Sequence, residues 1–389
     1  MLEQSILQNY LDILREELVP ATGCTEPIAI AYCAATLREL LGALPERVDA
    51  AVSGNILKNV KSVVVPNTGG RKGIGPAIAV GLVAGDEARD LQVISAVTEK
   101  QLAELDAYLQ RVEIAVSCSH SPCQLDIDLR GSCGSHTARV RITNHHTNIV
   151  CLERDGEVLR ELPVVDSAEE HRADKSLLNV ADILRFAAEV PLEDLLPLLE
   201  PQVSCNSAIA EEGIRGGWGA EIGRILLEGA NGDIQTEAKA YAAAGSDARM
   251  SGCEMPVVIL SGSGNQGITA SLPVIRYAKR LGASREQLLR ALALSDLITI
   301  HQKTGIGRLS AYCGAISAGV GAGAGICYLQ GGGYTAVAHT VVNAVAVLSG
   351  TICDGAKPSC AAKIAAAVDA GIMGYRMYLH DREFRRGEG

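Results

Sequence analysis

The sequence predicts an α+β protein in two parts. A mixed α+β domain with antiparallel strands is expected over residues 1–168, and an all-helical, Ala/Gly-rich catalytic domain over residues 169–389. Three observations carry this reading. The chain has 389 residues, more than one ordinary domain of about 150. Apolar and polar residues alternate before Val164, as in half-buried strands, and recur at helical spacing after Leu178. Hydrophobic residues make up 48% while aromatics are only 3% and glycine numbers 41. Such a core must be packed from Ala, Val, Leu and Ile, with small residues where helices touch.

The elements follow in order. An amphipathic helix is expected over Leu2–Glu17. "PIAIAYCAATLRELLG" from Pro27 gives a second, with proline in its first turn, where no intrahelical N–H is needed. "ERVDAAVSG" and "KSVVVPNTGG" read as short strands bounded by turns. "RVEIAVSCS", "QLDIDLRG" and "TARVRITNHHTNIVCLERDGEVL" alternate as antiparallel strands do, and the Asp-Gly pair in "ERDGEV" is a hairpin signal. The polar stretch Val164–Leu178 is the expected boundary. Beyond it "VADILRFAAEV", "LEDLLPLLEPQVSCNSAIAEEG", "WGAEIGRILLEG" and "DIQTEAKAYAAAGSDARM" have helical spacing. The apolar runs Gly314–Leu329 and Tyr334–Ile352 carry many glycines, or His339, Asn343 and Ser349. They predict buried helices in place of membrane spans.

Composition excludes several function classes. A net charge of −10 argues against a nucleic-acid binder, which needs clustered Lys and Arg. The N-terminus lacks the charged segment and apolar run of an export signal. Twelve cysteines at irregular spacing point to a reducing, cytoplasmic setting, with most of them small core residues. The Ala/Gly-rich surface is compatible with a homodimer.

Four stretches can carry chemistry. In "PATGCTEP" Cys24 precedes a helix, whose unpaired N–H groups and dipole stabilise a thiolate; a capping turn with Thr25 as cap is the plainer alternative. "SGNILKNVKSVVVPNTGG" offers Asn55, Lys58, Asn59 and Lys61, amides and ammonium groups that suit a carboxylate, or a solvated polar loop. "LSGSGNQGI" places Ser263, Asn265 and Gln266 in a glycine loop after an apolar run. Such a loop can nest an anion or simply turn the chain. Cys313, with Cys353 and Cys360 in "GTICDGAKPSC", supplies soft thiolates on a loose spacing that suits an iron–sulfur cluster better than structural zinc. Three buried thiols without a cofactor remain the alternative.

"GCTEPIAIAY", "SGNILKNVKSVVVPNTG", "NHHTNIV", "SDARMSGCEMPVVILSGSGNQGI", "KTGIGRLSAYCG" and "GTICDGAKPSCAAKI" together resemble the L-cysteine desulfidases, relatives of the bacterial iron–sulfur L-serine dehydratases. The segments span Gly23 to Ile364. The resemblance implies a lyase of cysteine catabolism that eliminates hydrogen sulfide from L-cysteine, leaving pyruvate and ammonia. It implies a [4Fe–4S] cluster held by Cys313, Cys353 and Cys360 with one iron open. Cys24 falls on the family's N-terminal functional cysteine, as base or as cluster or substrate contact. The two halves resemble the dehydratase β and α domains fused in one chain. The substrate carboxylate is expected against Asn55, Lys58, Ser263, Asn265 and Gln266, with His146 and Lys357 as weaker candidate bases. An L-serine or threonine dehydratase of the same type is the alternative. More distant are a pyridoxal-phosphate lyase using Lys58 or Lys303, and a non-enzymatic iron–sulfur sensor.

Overall fold

Two hydrophobic cores, one under a sheet and one around a glycine-rich helix, organise the chain. The computed structural model describes residues 2–22, 24–164, 173–307 and 310–388. The expected boundary at 168/169 lies outside the described residues. The chain opens with α1 (Gln4–Glu17), β1 (Val19–Thr22), α2 (Thr25–Leu41), β2 (Arg47–Val52), α3 (Gly54–Val60), α4 (Ile74–Ala84) and α5 (Glu99–Arg111). Strands β3 (Glu113–Cys118), β4 (Asp126–Cys133), β5 (His136–Thr143), β6 (Ile149–Arg154) and β7 (Glu157–Glu161) follow.

The sheet order is β3-β2-β4-β5-β6-β7. Val48, Ala50 and Val52 of β2 are buried while Arg47 and Asp49 face out, the period of two that the sequence shows. Helix α2 covers the inner face against β4 and β5, and α4 packs on α2. The expectation of antiparallel strands holds from β2 through β7 by way of β4 but fails for β3, which runs parallel to β2. The chain leaves β2 and returns to β3 through three helices, and a crossover of that length is what a parallel neighbour requires. The Asp155-Gly156 turn has φ of 51° and 83°, as a tight hairpin needs. "KSVVVPNTGG" is not a strand. Among the described residues it makes one isolated bridge, Val64 to Lys72, because Asn67, Gly69 and Gly70 turn the chain through positive φ.

The second half contains α6 (Val180–Glu189), α7 (Leu192–Arg215), α8 (Ile222–Leu227), α9 (Ile234–Met250), α10 (Gly264–Leu281), α11 (Arg285–Thr304), α12 (Gly314–Leu329), α13 (Tyr334–Leu348) and α14 (Cys360–Leu379). One short strand, β8 (Pro256–Ile259), lies among them and pairs antiparallel with β1. Helix α1 also joins this core: Leu7, Tyr10, Leu11 and Leu14 are buried together with Phe186 and Leu297. The start of the chain is therefore built into the helical half, and α2 begins where the two cores meet.

Helix α12 is the axis of the helical core. A methyl group on Gly319 would overlap the Ala367 carbonyl of α14, and one on Gly323 would overlap that of Gly371. Gly321 faces Ser295 and Thr299 of α11 in the same way. The contacts advance together along α12 and α14, so these helices are parallel. No helix among the described residues is long and apolar enough to cross a membrane.

Asp296 of α11 and Gln202 of α7 face each other, both fully buried. Gln202 Nε2 donates to Asp296 Oδ1 at 3.1 Å, while Gln202 Oε1 and Asp296 Oδ2 lack partners. A proton on Oδ2 removes the buried charge and supplies the pair with the donor that both oxygens lack. Burial pushes the Asp296 carboxyl up to about 8, so the folded protein keeps that proton at neutral pH. The unfolded chain releases it near 3.8, so this contribution is complete at lower pH and is lost as pH rises through about 8. Asp296→Asn keeps the shape and the hydrogen bond from Gln202 Nε2 without a titrating proton. It should raise the melting temperature at alkaline pH and flatten the pH dependence of stability. Parallel pH profiles of denaturant unfolding for variant and wild type would contradict the protonated pair.

Candidate active site

The first turns of α2, α10, α12 and α14 open on one cavity of about 100 Å³. Cys24, Ser263 and Cys313 occupy the N-cap positions of the first three, and α14 begins with Cys360 itself. None of the four is capped by a side-chain oxygen. The positive dipole ends of the four helices are therefore directed at the cavity, although some leading N–H groups are bonded locally, those of Cys360 and Ala361 to the Lys357 and Pro358 carbonyls. Helix α3 closes one side with Lys58 and Asn59.

Local structure explains how distant cysteines meet. Residues 311–313 lie antiparallel beside 351–353: the Cys313 N–H donates to the Thr351 carbonyl at 3.0 Å, and the Cys353 N–H to the Ala311 carbonyl at 2.7 Å. The turn after Cys353 is braced by Asp354, whose carboxylate takes Lys357 and Lys363 at 2.7 Å each. Those two bonds hold its carboxyl far below the usual carboxylate range. Cys360 then starts α14, its N–H bonded to the Lys357 carbonyl at 2.9 Å. Cys313, Cys353 and Cys360 all line the cavity. Burial pushes the Cys313 and Cys360 thiols up, and the neighbouring thiols add to it. Cys24 meets Cys360 in a small apolar wall with Val63, Met250 and Ala356.

The charge of the lining is one-sided. Among the described residues it carries Lys58, Arg249, Lys303 and Lys363 against Glu26, in a chain whose net charge is −10. Arg249 lies across the start of α10, donating to Asn265 Oδ1 at 3.2 Å. Gly264 allows this, because a side chain there would strike the guanidinium. Glu26 accepts from Asn59 Nδ2 at 3.0 Å and from the Thr25 hydroxyl at 3.2 Å. Burial lowers the Lys303 ammonium to about 8, against the opposing pull of Cys353, Cys313 and Glu17.

Cys24 corrects the reading from its local sequence. It stands before a helix as expected, yet its thiol is pushed up to about 11. Complete desolvation outweighs the Arg249 charge that favours the thiolate, and Glu26 opposes it further. At neutral pH Cys24 is a thiol. Lys58, Ser263, Asn265 and Gln266 line the cavity as expected, but Asn55 does not; Asn59, one turn later on α3, does. His146 and Lys357 are also absent from the lining, whereas Lys303 is present. Glu26, Arg249, Tyr312 and Lys363 were not singled out. Glu26 sits two residues after Cys24, and Arg249 within "SDARMSGC", so only proximity to stretches already marked could have found them.

The donor set fits an iron–sulfur cluster. It consists of thiols alone, within electrostatic reach of one another, amid cations that match an anionic cofactor. Among the described residues no three His, Cys, Asp or Glu side chains close on a single metal ion. A cluster spreads its ligands over separate irons and does not need that tighter grouping.

Residues 88–387 match the family described as serine dehydratase alpha chain, and the chain belongs to that family. The family is linked to iron–sulfur serine dehydratases, which are lyases. Several curated relatives carry the name UPF0597 protein. One from Desulfitobacterium hafniense is 54% identical over 382 residues, 98% of this chain and 89% of its own. Those from Lachnoclostridium phytofermentans and Treponema denticola are 48% and 43% identical, over 98% and 100% of this chain and 91% of each relative. Cys24, Lys58 and Asn59 precede the matched span, while the three later cysteines lie within it.

Gly355 couples the cysteine turn to α3. Its φ is +104°, and a side chain there would overlap the Lys58 carbonyl. Gly355→Ala should lower stability by about 1–3 kcal/mol or more, from overpacking and strain together. Denaturant unfolding checks this, and wild-type stability in the variant would show that turn and α3 part without cost.

Proposed function

We propose that this cavity eliminates the β-substituent of an α-amino acid, with L-cysteine as substrate and pyruvate, ammonia and hydrogen sulfide as products. The supporting observation is the grouping of Cys24, Cys313, Cys353 and Cys360 with four cations around one cavity at helix starts. Cys313, Cys353 and Cys360 would hold a [4Fe–4S] cluster with one iron open, which when bound supplies a soft Lewis acid for the leaving sulfur.

The chain's own groups bind the substrate and move its proton. The carboxylate faces the start of α10, where Ser263, Asn265 and Gln266 sit beside Arg249, with Lys58 opposite from α3. Lys303 Nζ, lowered to about 8, takes the proton from Cα. The C–H electron pair forms the Cα–Cβ double bond, and the C–S pair leaves with sulfur as hydrosulfide. The aminoacrylate tautomerises to an imine, which water hydrolyses to pyruvate and ammonia. Cys24, a buried thiol at neutral pH, serves as a substrate contact on the apolar wall with Val63 and Met250. The position of the cavity where the two cores meet would limit the access of water to the aminoacrylate. All twelve cysteines are free thiols, as a reducing cytoplasm would keep them.

L-Serine is the second reading, favoured by the family match. The wall of Cys24, Val63, Met250 and Ala356 offers a hydroxyl few partners and suits sulfur better. Anaerobically reconstituted protein assayed with both substrates decides: sulfide and pyruvate should appear together from cysteine, faster than pyruvate from serine. The reverse order would assign the enzyme to serine.

Cys313→Ser, Cys353→Ser and Cys360→Ser should each lower bound iron and abolish sulfide release, while Cys24→Ser should retain iron. Full activity after complete chelation would end the cluster assignment. With Lys303 as base, kcat/KM for cysteine should rise with pH and level off above about 8, because only the neutral amine accepts a proton. Lys303→Met should lose roughly 10²–10⁴-fold in kcat. An unchanged rising limb in that variant would place the base elsewhere.

A further inference from the structure

Lys363 ties together the segments that carry the three later cysteines. It lies three residues after Cys360 on α14 and lines the cavity. Its Nζ donates to Asp354 Oδ1 at 2.7 Å and to the Ile352 carbonyl at 3.4 Å. Lys357 Nζ takes the other carboxylate oxygen, Asp354 Oδ2, at 2.7 Å.

The ribbon explains why the Ile352 carbonyl is there to be used. The Thr351 carbonyl and the Cys353 N–H are bonded to residues 313 and 311. Backbone groups of an antiparallel pair alternate in direction, so the carbonyl of Ile352, between them, points away from residues 311–313 and meets Lys363 instead. Lys363 thus fastens the strand of Cys353 to the helix of Cys360, and the ribbon fastens the same strand to Cys313. The ammonium also reaches the sulfurs electrostatically, favouring the thiolate form of both Cys313 and Cys360. Asp354 is absent from the cavity lining, so the ion pair presents its positive end to the cavity.

We propose that Lys363 is a positioning residue for the iron–sulfur cluster: it fixes Cys353 against Cys360 and offsets the negative charge of the cluster that they hold with Cys313. The inference rests on the cluster assignment above and extends it to a residue that binds no iron itself.

Lys363→Met removes the charge and both hydrogen bonds, while Lys363→Arg keeps a cation with several donors. Wild type and both variants are reconstituted anaerobically with iron and sulfide, and bound iron is followed against increasing chelator. Lys363→Met should lose iron at roughly 10- to 100-fold lower chelator concentration, and Lys363→Arg should stay within about threefold of wild type. The midpoint potential of the cluster, followed by electron paramagnetic resonance, should move to more negative values in Lys363→Met, because removing a nearby cation favours the oxidised cluster. Asp354→Asn weakens the anchor but leaves the ammonium, so it should lower iron retention without that negative shift. Circular dichroism of the iron-free proteins should be the same throughout, because Lys363 belongs to neither large core. Wild-type iron retention in Lys363→Met, an unmoved potential, or a loss as large in Lys363→Arg as in Lys363→Met would overturn the proposal and leave the cluster assignment standing. A reconstituted wild type that holds no iron would end both.

Discussion

The like ends of four helices meet at one cavity. Positive helix termini repel one another, and bringing α2, α10, α12 and α14 together leaves a field that Glu26 alone opposes from within the four first turns. Lys58, Arg249, Lys303 and Lys363 add to it. Such a site is unfavourable to the isolated fold and favourable to whatever anion enters, whether thiolates, an anionic cluster or a carboxylate.

Close packing in the helical core makes the meeting possible. Gly319 and Gly323 of α12 admit the α14 backbone, and Gly321 admits α11. Because α12 and α14 run parallel at that distance, Cys313 and Cys360 begin neighbouring helices at the same level. Helix α11 runs the other way, so its last turn brings Lys303 to the cavity near its own negative end. Side chains larger than hydrogen at the α12 contacts would separate these helices and with them the sulfurs. The shortage of aromatics in the composition is the same constraint seen from outside, since a core of short contacts has no room for large rings.

Competing effects decide the state of each group inside. At Cys24 the helix terminus and Arg249 favour the thiolate, but full burial and Glu26 favour the thiol and prevail. At Lys303 burial works in the opposite sense, favouring the neutral amine. The two groups therefore exchange the roles their local sequences suggest: the cysteine keeps its proton and the lysine can shed one. Asp354 lies at the rim and is stabilised as a carboxylate by two lysines, so it acts as a brace for the cysteine turn.

Local periodicity is enough to read most helices, the sheet strands β2 through β7, the Asp-Gly hairpin and the glycine-rich buried helix, because each depends on neighbours within a few residues. The resemblance marked Cys24, Cys313, Cys353, Cys360 and the "SGSGNQG" loop, and the structure brings all of these to one cavity. Chain order could not reveal that β3 lies parallel to β2, that β1 pairs with β8, or that Asn59 rather than Asn55 reaches the cavity. Those depend on crossovers and on the rotation of short elements against distant ones. The Cys24 thiol and the Lys303 amine were equally hidden, since desolvation is set by everything packed around a group and not by the residues beside it in the chain. The sequence by itself determined which elements form and which sulfurs are available; only the tertiary structure decided which faces share a cavity and which protons are held there.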